Sequence, residues 1–121
     1  MITLDPTENQ IQIALMAWIK LQLPHIFDYT IHIANQRKTS LQAGALLKKL
    51  GVKAGVSDIF IAWPTNQYFG LWLELKTHKG KLSAEQHVFM ERMSKVGYKA
   101  MVAFGLDEAI KIIELYVSNK I

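Results

Sequence analysis

Hydrophobic positions in this chain follow two patterns, helical spacing towards its ends and nearly unbroken apolar runs at its centre. Ile11, Ala14, Leu15 and Trp18 recur at helical spacing behind Asp5-Pro6-Thr7-Glu8. That predicts a helix with Asp5 as N-cap, Pro6 at its first position and Glu8 three residues after the cap, ending at Leu21 or Leu23 before Pro24. His25 to Ala34 alternates loosely through Phe27, Tyr29, Ile31 and Ile33 and reads as a first strand. A polar loop, Asn35 to Lys38, then leads to a helix capped by Thr39 or Ser40. It runs through Leu50 with Leu46, Leu47 and Leu50 inward, and Gly51 is its C′ residue.

Val56–Trp63 and Tyr68–Leu75 are almost wholly apolar and are separated by Pro64-Thr65-Asn66-Gln67. They predict two antiparallel strands joined by a short loop, in a sheet covered on both faces. Beyond the basic loop Thr77–Lys81, Ser83-Ala84-Glu85-Gln86 forms a capping box that opens a helix. Val88, Phe89, Met93 and Val96 make its apolar face, and Gly97 ends it. Tyr98–Phe104 reads as a final strand. The last helix starts at Gly105 or Asp107, carries Ala109, Ile110, Ile113 and Val117 on its core side, and ends near Ser118. The predicted order is αβαββαβα: an α/β fold with a small central mixed sheet flanked by helices.

Composition narrows this picture. The 121 residues suit one domain spanning residues 1–121, and half of them are hydrophobic and a fifth charged, a folded rather than disordered profile. The absence of cysteine excludes disulfides, thiolate nucleophiles and zinc–thiolate sites. The amino terminus has no basic segment followed by an apolar one, and no apolar run reaches membrane-spanning length, so a cytoplasmic location with no membrane partner is expected. The net charge of +4 is unevenly placed. No acidic residue lies between Tyr29 and Ser57, whereas Arg37, Lys38, Lys48, Lys49 and Lys53 do; Lys76, Lys79 and Lys81 follow the second central strand with His78. Clustered cations of this kind suit a phosphate backbone, or else a solvated face.

Three ionisable residues interrupt the apolar runs: Asp58, Glu74 and Lys76. Buried charges need partners or a metal. Glu74 and Lys76 project from one face of a strand, and a hairpin folded about Asn66 puts Asp58 opposite Glu74. Opposed carboxylates repel, a repulsion that Mg²⁺ or Mn²⁺, which suit hard oxygen ligands, would relieve. The same spacing also fits a structural Asp–Lys or Glu–Lys ion pair. Glu8 sits at the edge of the first helix's apolar stripe, where it can point at this site or complete a capping box. Gln86 can cap its helix or reach the site. His32, between apolar neighbours, reads as a structural histidine ahead of a catalytic one.

An Asp opening one strand, E-x-K on the next and a Gln opening the following helix resemble the PD-(D/E)XK nuclease superfamily. The wording Gly55-Val56-Ser57-Asp58, Gly70–Lys76, Gly80-Lys81-Leu82-Ser83 and Gln86, followed by Gly97-Tyr98 and Asp107-Glu108-Ala109, is similar to the VRR-NUC family over about residues 30 to 115. Ser57 stands where the superfamily often has the Pro of its name, a backbone-shaping residue with no chemistry. The resemblance implies a restriction-endonuclease-like core and a metal-dependent phosphodiesterase acting on DNA. It makes Asp58, Glu74 and the Leu75 carbonyl the ligands of Mg²⁺ or Mn²⁺, and Lys76 the residue that assists the attacking water. It also makes Gln86 the motif glutamine and Glu8 the acidic residue of the first helix. Short members, from phages and bacteria, are associated with homodimers and Holliday-junction cleavage, which the resemblance suggests here. Arg37, Lys38, Lys48, Lys49, Lys53, Lys79 and Lys81 are the expected DNA contacts. A non-catalytic DNA-binding module that keeps the fold is the competing reading.

Overall fold

A computed structural model describes residues 5–34 and 40–121; the expected contacts Arg37 and Lys38 lie outside the described residues. The chain builds α1 (Glu8–Gln22), α2 (Pro24–Phe27), β1 (Thr30–His32), α3 (Leu41–Lys49), β2 (Ile59–Ile61), β3 (Leu71–Lys76), α4 (Ala84–Lys95), β4 (Lys99–Phe104) and α5 (Leu106–Val117). The strands form one sheet in the order β1-β2-β3-β4, antiparallel except for the β3–β4 pair. This is the expected mixed α/β sheet flanked by helices, with one short helix added between α1 and β1.

Alternation along β3 divides the sheet into two faces. Leu71, Leu73 and Leu75 join Ile59 and Ile61 in a core sealed by Ile11, Leu15 and Ile19 of α1 and by Ala109, Ile113 and Tyr116 of α5. Burial pushes the Tyr116 hydroxyl up to about 12, and it donates to the Trp63 carbonyl at 2.7 Å. The opposite face carries Trp72, Glu74 and Lys76 and lies under α4, whose Phe89 ring meets Trp72 edge-on with centroids 5.0 Å apart. The sheet is therefore covered on both faces, and the ionisable pair of β3 lies on the α4 side.

Several expectations are corrected. Thr7, not Asp5, caps α1: its hydroxyl accepts from Gln10 N at 3.1 Å, while the Gln10 side chain accepts from Thr7 N at 2.9 Å. Glu8 thus stands at the first helical position, outside the capping box. His25 to Phe27 is not strand; Pro24 pre-sets a helical turn that drives Ile26 into the core. Only Ile59–Ile61 and Leu71–Lys76 of the two central runs are strand, so the connection between them is longer than a four-residue turn. The α3 leucines do not face inward: Leu46 and Leu50 are 57% and 71% exposed, because α3 packs little against the rest of the described residues. On α4 Val88 and Val96 are likewise exposed, and half-buried Phe89 and Met93 make the contact. On α5 the fully buried positions are Ala109, Ile112, Ile113 and Tyr116, with Ile110 and Val117 half-buried beside them.

Candidate active site

The β2–β3 ladder pairs Ile59 with Leu73, Phe60 with Trp72 and Ile61 with Leu71. One step further, Asp58 comes opposite Glu74, the register of a hairpin centred on Asn66. There β2 leaves the ladder. The Asp58 carbonyl turns to β1, accepting from Ile33 N at 2.8 Å and from His32 Nδ1 at 3.0 Å. Its side chain takes over the vacated position on β3, with Oδ2 accepting from Leu75 N at 2.8 Å. In an extended strand the N–H and C=O of one residue point to the same side, so the Leu75 carbonyl also faces the Asp58 edge.

Glu74 is 1% exposed and Lys76 7%. Gln86, in the first turn of α4, donates from Nε2 to Glu74 Oε1 at 2.7 Å. Its Oε1 meanwhile accepts from Ser83 N at 2.8 Å as half of the α4 capping box. The two roles open in the sequence are thus one arrangement, since the cap fixes which end of the amide faces Glu74. The loop ahead of Asp58 is pressed against the same helix turn. Gly55, at φ +82°, leaves no room for a Cβ, which would collide with the backbone of Glu85 and Gln86. Glycine there lets the strand carrying Asp58 and the helix carrying Gln86 close on Glu74. Gln86→Ala is expected to lower activity about 10- to 100-fold, the usual effect of removing an outer partner of a metal ligand, the role expected for Glu74. It is expected to lower thermal stability as well, because it removes half of the α4 cap and the donor to a buried Glu74 oxygen. Steady-state cleavage rates and a melting curve check both.

The second oxygen of Glu74, Oε2, is buried without a hydrogen-bond partner among the described residues. Burial first, then the charge and hydrogen-bonding reach of Asp58, and to a lesser extent Glu8, push the Glu74 carboxyl from its ordinary 4.5 up to about 8; Lys76 opposes this. A buried carboxyl held protonated beside a second carboxylate and a backbone carbonyl is a set of hard oxygen donors short of positive charge. These residues fit Mg²⁺ or Mn²⁺, which take one or two carboxylates and leave other positions to water and phosphate. Among the described residues no three His, Cys, Asp or Glu side chains gather as a metal-binding group. Glu8 does not complete such a trio with Asp58 and Glu74. It lines, with Asp58, Leu75, Asn9, Gln12, His32 and Ala34, a cleft of about 390 Å³.

Of the remaining sequence-predicted residues, Lys79 and Lys81 are exposed on the loop after β3, whose Gly80 rests on the stem of Lys76. Lys48 and Lys49 are exposed at the end of α3. Lys53 sits apart from the carboxylates, on a second cavity of about 550 Å³ beside α4, where Arg92 joins it. Sequence reasoning missed Arg92, Asn9 and Gln12. The last could have been found, because Gln12 is one turn from Glu8 on the same helix face.

Comparison with known proteins agrees with this geometry. The family model described as VRR-NUC domain matches residues 6–106. A solved structure titled "VRR_NUC domain protein" superposes with a TM-score of 0.85 at 32% identity, covering 96% of this chain and 92% of that one. No curated protein matches.

Proposed function

The chain belongs to the VRR-NUC family of nuclease-type DNA-processing domains, and from that premise we propose that it hydrolyses phosphodiester bonds in DNA with Mg²⁺ or Mn²⁺ held by Asp58, Glu74 and the Leu75 carbonyl. The observation that carries this reading is the buried Glu74 carboxyl, whose Oε2 has no donor among the described residues and which lies within reach of the Asp58 carboxylate. When bound, the cation would supply positive charge to the phosphate oxygens and lower the pKa of a water, which would lose a proton and attack phosphorus as hydroxide while the bond to the leaving sugar oxygen breaks. The chain's own residues do the positioning. Asp58 is fixed by its bond to Leu75 N, and Glu74 by Gln86. Lys76, two residues along the same face, orients the water or offsets charge on the phosphate. Glu8 adds negative charge at the rim, favouring the divalent ion over a lone proton.

The protein acts as a homodimer on branched DNA in this reading, resembling a Holliday-junction resolvase. A domain of this size covers little DNA, and a two-fold pair presents two sites to two strands. The exposed leucines Leu41, Leu46 and Leu50 give α3 apolar surface suited to such a pairing. Cleavage of four-way junction, flap, nicked, single-stranded and linear DNA, with the mass in solution measured alongside, tests this. Preference for the junction by a dimer supports it; equal cutting of linear duplex by a monomer contradicts it. Lys48, Lys49 and Lys53 are assigned to the DNA backbone. Their triple replacement by Ala is expected to flatten the salt dependence of binding by roughly two to three units of slope. An unchanged slope in a salt titration would place the DNA elsewhere.

No helix of the described residues is long and apolar enough to cross a membrane.

A further inference from the structure

The cleft beside Asp58 has a wall that the reaction above does not use. Asn9 and Gln12 of α1 form one side, and His32 and Ala34, at the end of β1, form the other. The charges lining it are the carboxylates of Glu8 and Asp58; no lysine or arginine is among its described lining residues. Among the described residues, the Asn9, Gln12 and His32 side of the cleft holds no cationic side chain for a phosphate. What the wall offers is uncharged hydrogen bonding. Each carboxamide both donates and accepts. The Asp58 carbonyl can only accept, so His32 Nδ1 carries the proton of that bond, and in this tautomer Nε2 is the ring's second hydrogen-bonding atom. Carboxamides are the side chains that best match the paired donor and acceptor of a base edge. At about 390 Å³ the cleft is near the lower end of small-ligand pockets, which span roughly 300–1,000 Å³. That is room for one nucleoside.

We infer that this cleft takes one unpaired nucleoside next to the scissile phosphate, with its base edge held by Asn9 and Gln12 and its edge or sugar by His32. The inference rests on the nuclease reading and deepens it. The phosphodiester lies outside the wall, at the Asp58–Leu75 end, while the uncharged part of one nucleotide enters. Unpairing and unstacking a base costs a few kcal/mol in intact duplex and least where strands are already parted. Substrates with an unpaired nucleotide at the cut, such as branch points, flaps, mismatches or single strands, are therefore favoured over plain duplex by the site itself.

The test places 2-aminopurine, one position at a time, around the cut in the preferred substrate, and follows its fluorescence on binding with Ca²⁺ in place of Mg²⁺ to hold turnover off. The wild type is expected to raise the signal several-fold at a single position. The Asn9→Ala/Gln12→Ala variant keeps the Thr7–Gln10 cap and the buried stripe of α1. It is expected to lose that rise while its affinity, measured by anisotropy, changes only a few-fold. An abasic sugar at that position should remove the wild type's cleavage advantage over the variant. DNA binding with no rise at any position, or an equal rise in the variant, overturns the inference and leaves the nuclease reading standing. Failure of the wild type to bind or cut any DNA overturns both.

Discussion

Asp58→Ala and Glu74→Ala are each expected to lose cleavage altogether, well beyond the 10- to 100-fold effect of an outer partner, while DNA binding holds or tightens. The two outcomes have one cause. In the proposed site each carboxylate would supply an oxygen to the cation, so its removal would end the chemistry, and it would take away negative charge, or the capacity for it, near the phosphate. Glu74 sharpens the case because its burial is a cost to the fold: at 1% exposure, with Oε2 unpartnered, ionisation is disfavoured unless a cation arrives. Glu74→Gln, which keeps shape and removes charge, is expected to be inactive and more stable than the wild type near pH 8 without divalent ions. This is stability given up for function. Single-turnover cleavage, anisotropy and melting curves on the same preparations check all three statements. Normal turnover in either alanine variant would remove that residue from the site.

Stability without divalent ions is expected to fall as pH rises from about 4.5 to about 8. Glu74 has its ordinary value near 4.5 in the unfolded chain and about 8 in the fold. Between those values the folded state binds the extra proton, so raising pH favours unfolding. The slope from this group is at most about 1.4 kcal/mol per pH unit, the value for one proton. In the proposed site Mg²⁺ or Mn²⁺ would compete with that proton, and a ligand for the native state alone stabilises it by mass action. The metal-induced rise in Tm is therefore expected to be small near pH 5 and large near pH 8, and to vanish in Glu74→Gln. A metal effect independent of pH, or one that survives in the variant, would place the cation elsewhere.

How much of this was legible differs from element to element. The register was readable because two apolar runs about one polar turn can pair inward in few ways. Centring on Asn66 brought Asp58 opposite Glu74, as the ladder does. The α4 cap was readable because Ser83 and Gln86 form an unambiguous box. At α1 the sequence offers two overlapping boxes, Asp5 with Glu8 and Thr7 with Gln10, and local chemistry does not choose between them. Packing of Ile11, Leu15 and Ile19 chooses, and that choice moves Glu8 from cap to cleft. The stretch from His25 to Phe27 alternates like a strand, yet Pro24 and the pull of Ile26 into the core make it a helical turn. Amphipathic spacing made Leu46 and Leu50 look buried. Spacing identifies an apolar face but not a partner for it, and α3 has little to pack against. Asn9, which has no charge and no motif, entered the picture through the fold.

The most direct test of the central claim is cleavage of one end-labelled branched DNA in Mg²⁺, Mn²⁺ or EDTA, wild type beside Lys76→Ala. The account predicts cutting by the wild type with either metal and none in EDTA, with Lys76→Ala binding the DNA yet leaving it intact. Cutting that persists in EDTA, or at full rate in Lys76→Ala, would contradict it.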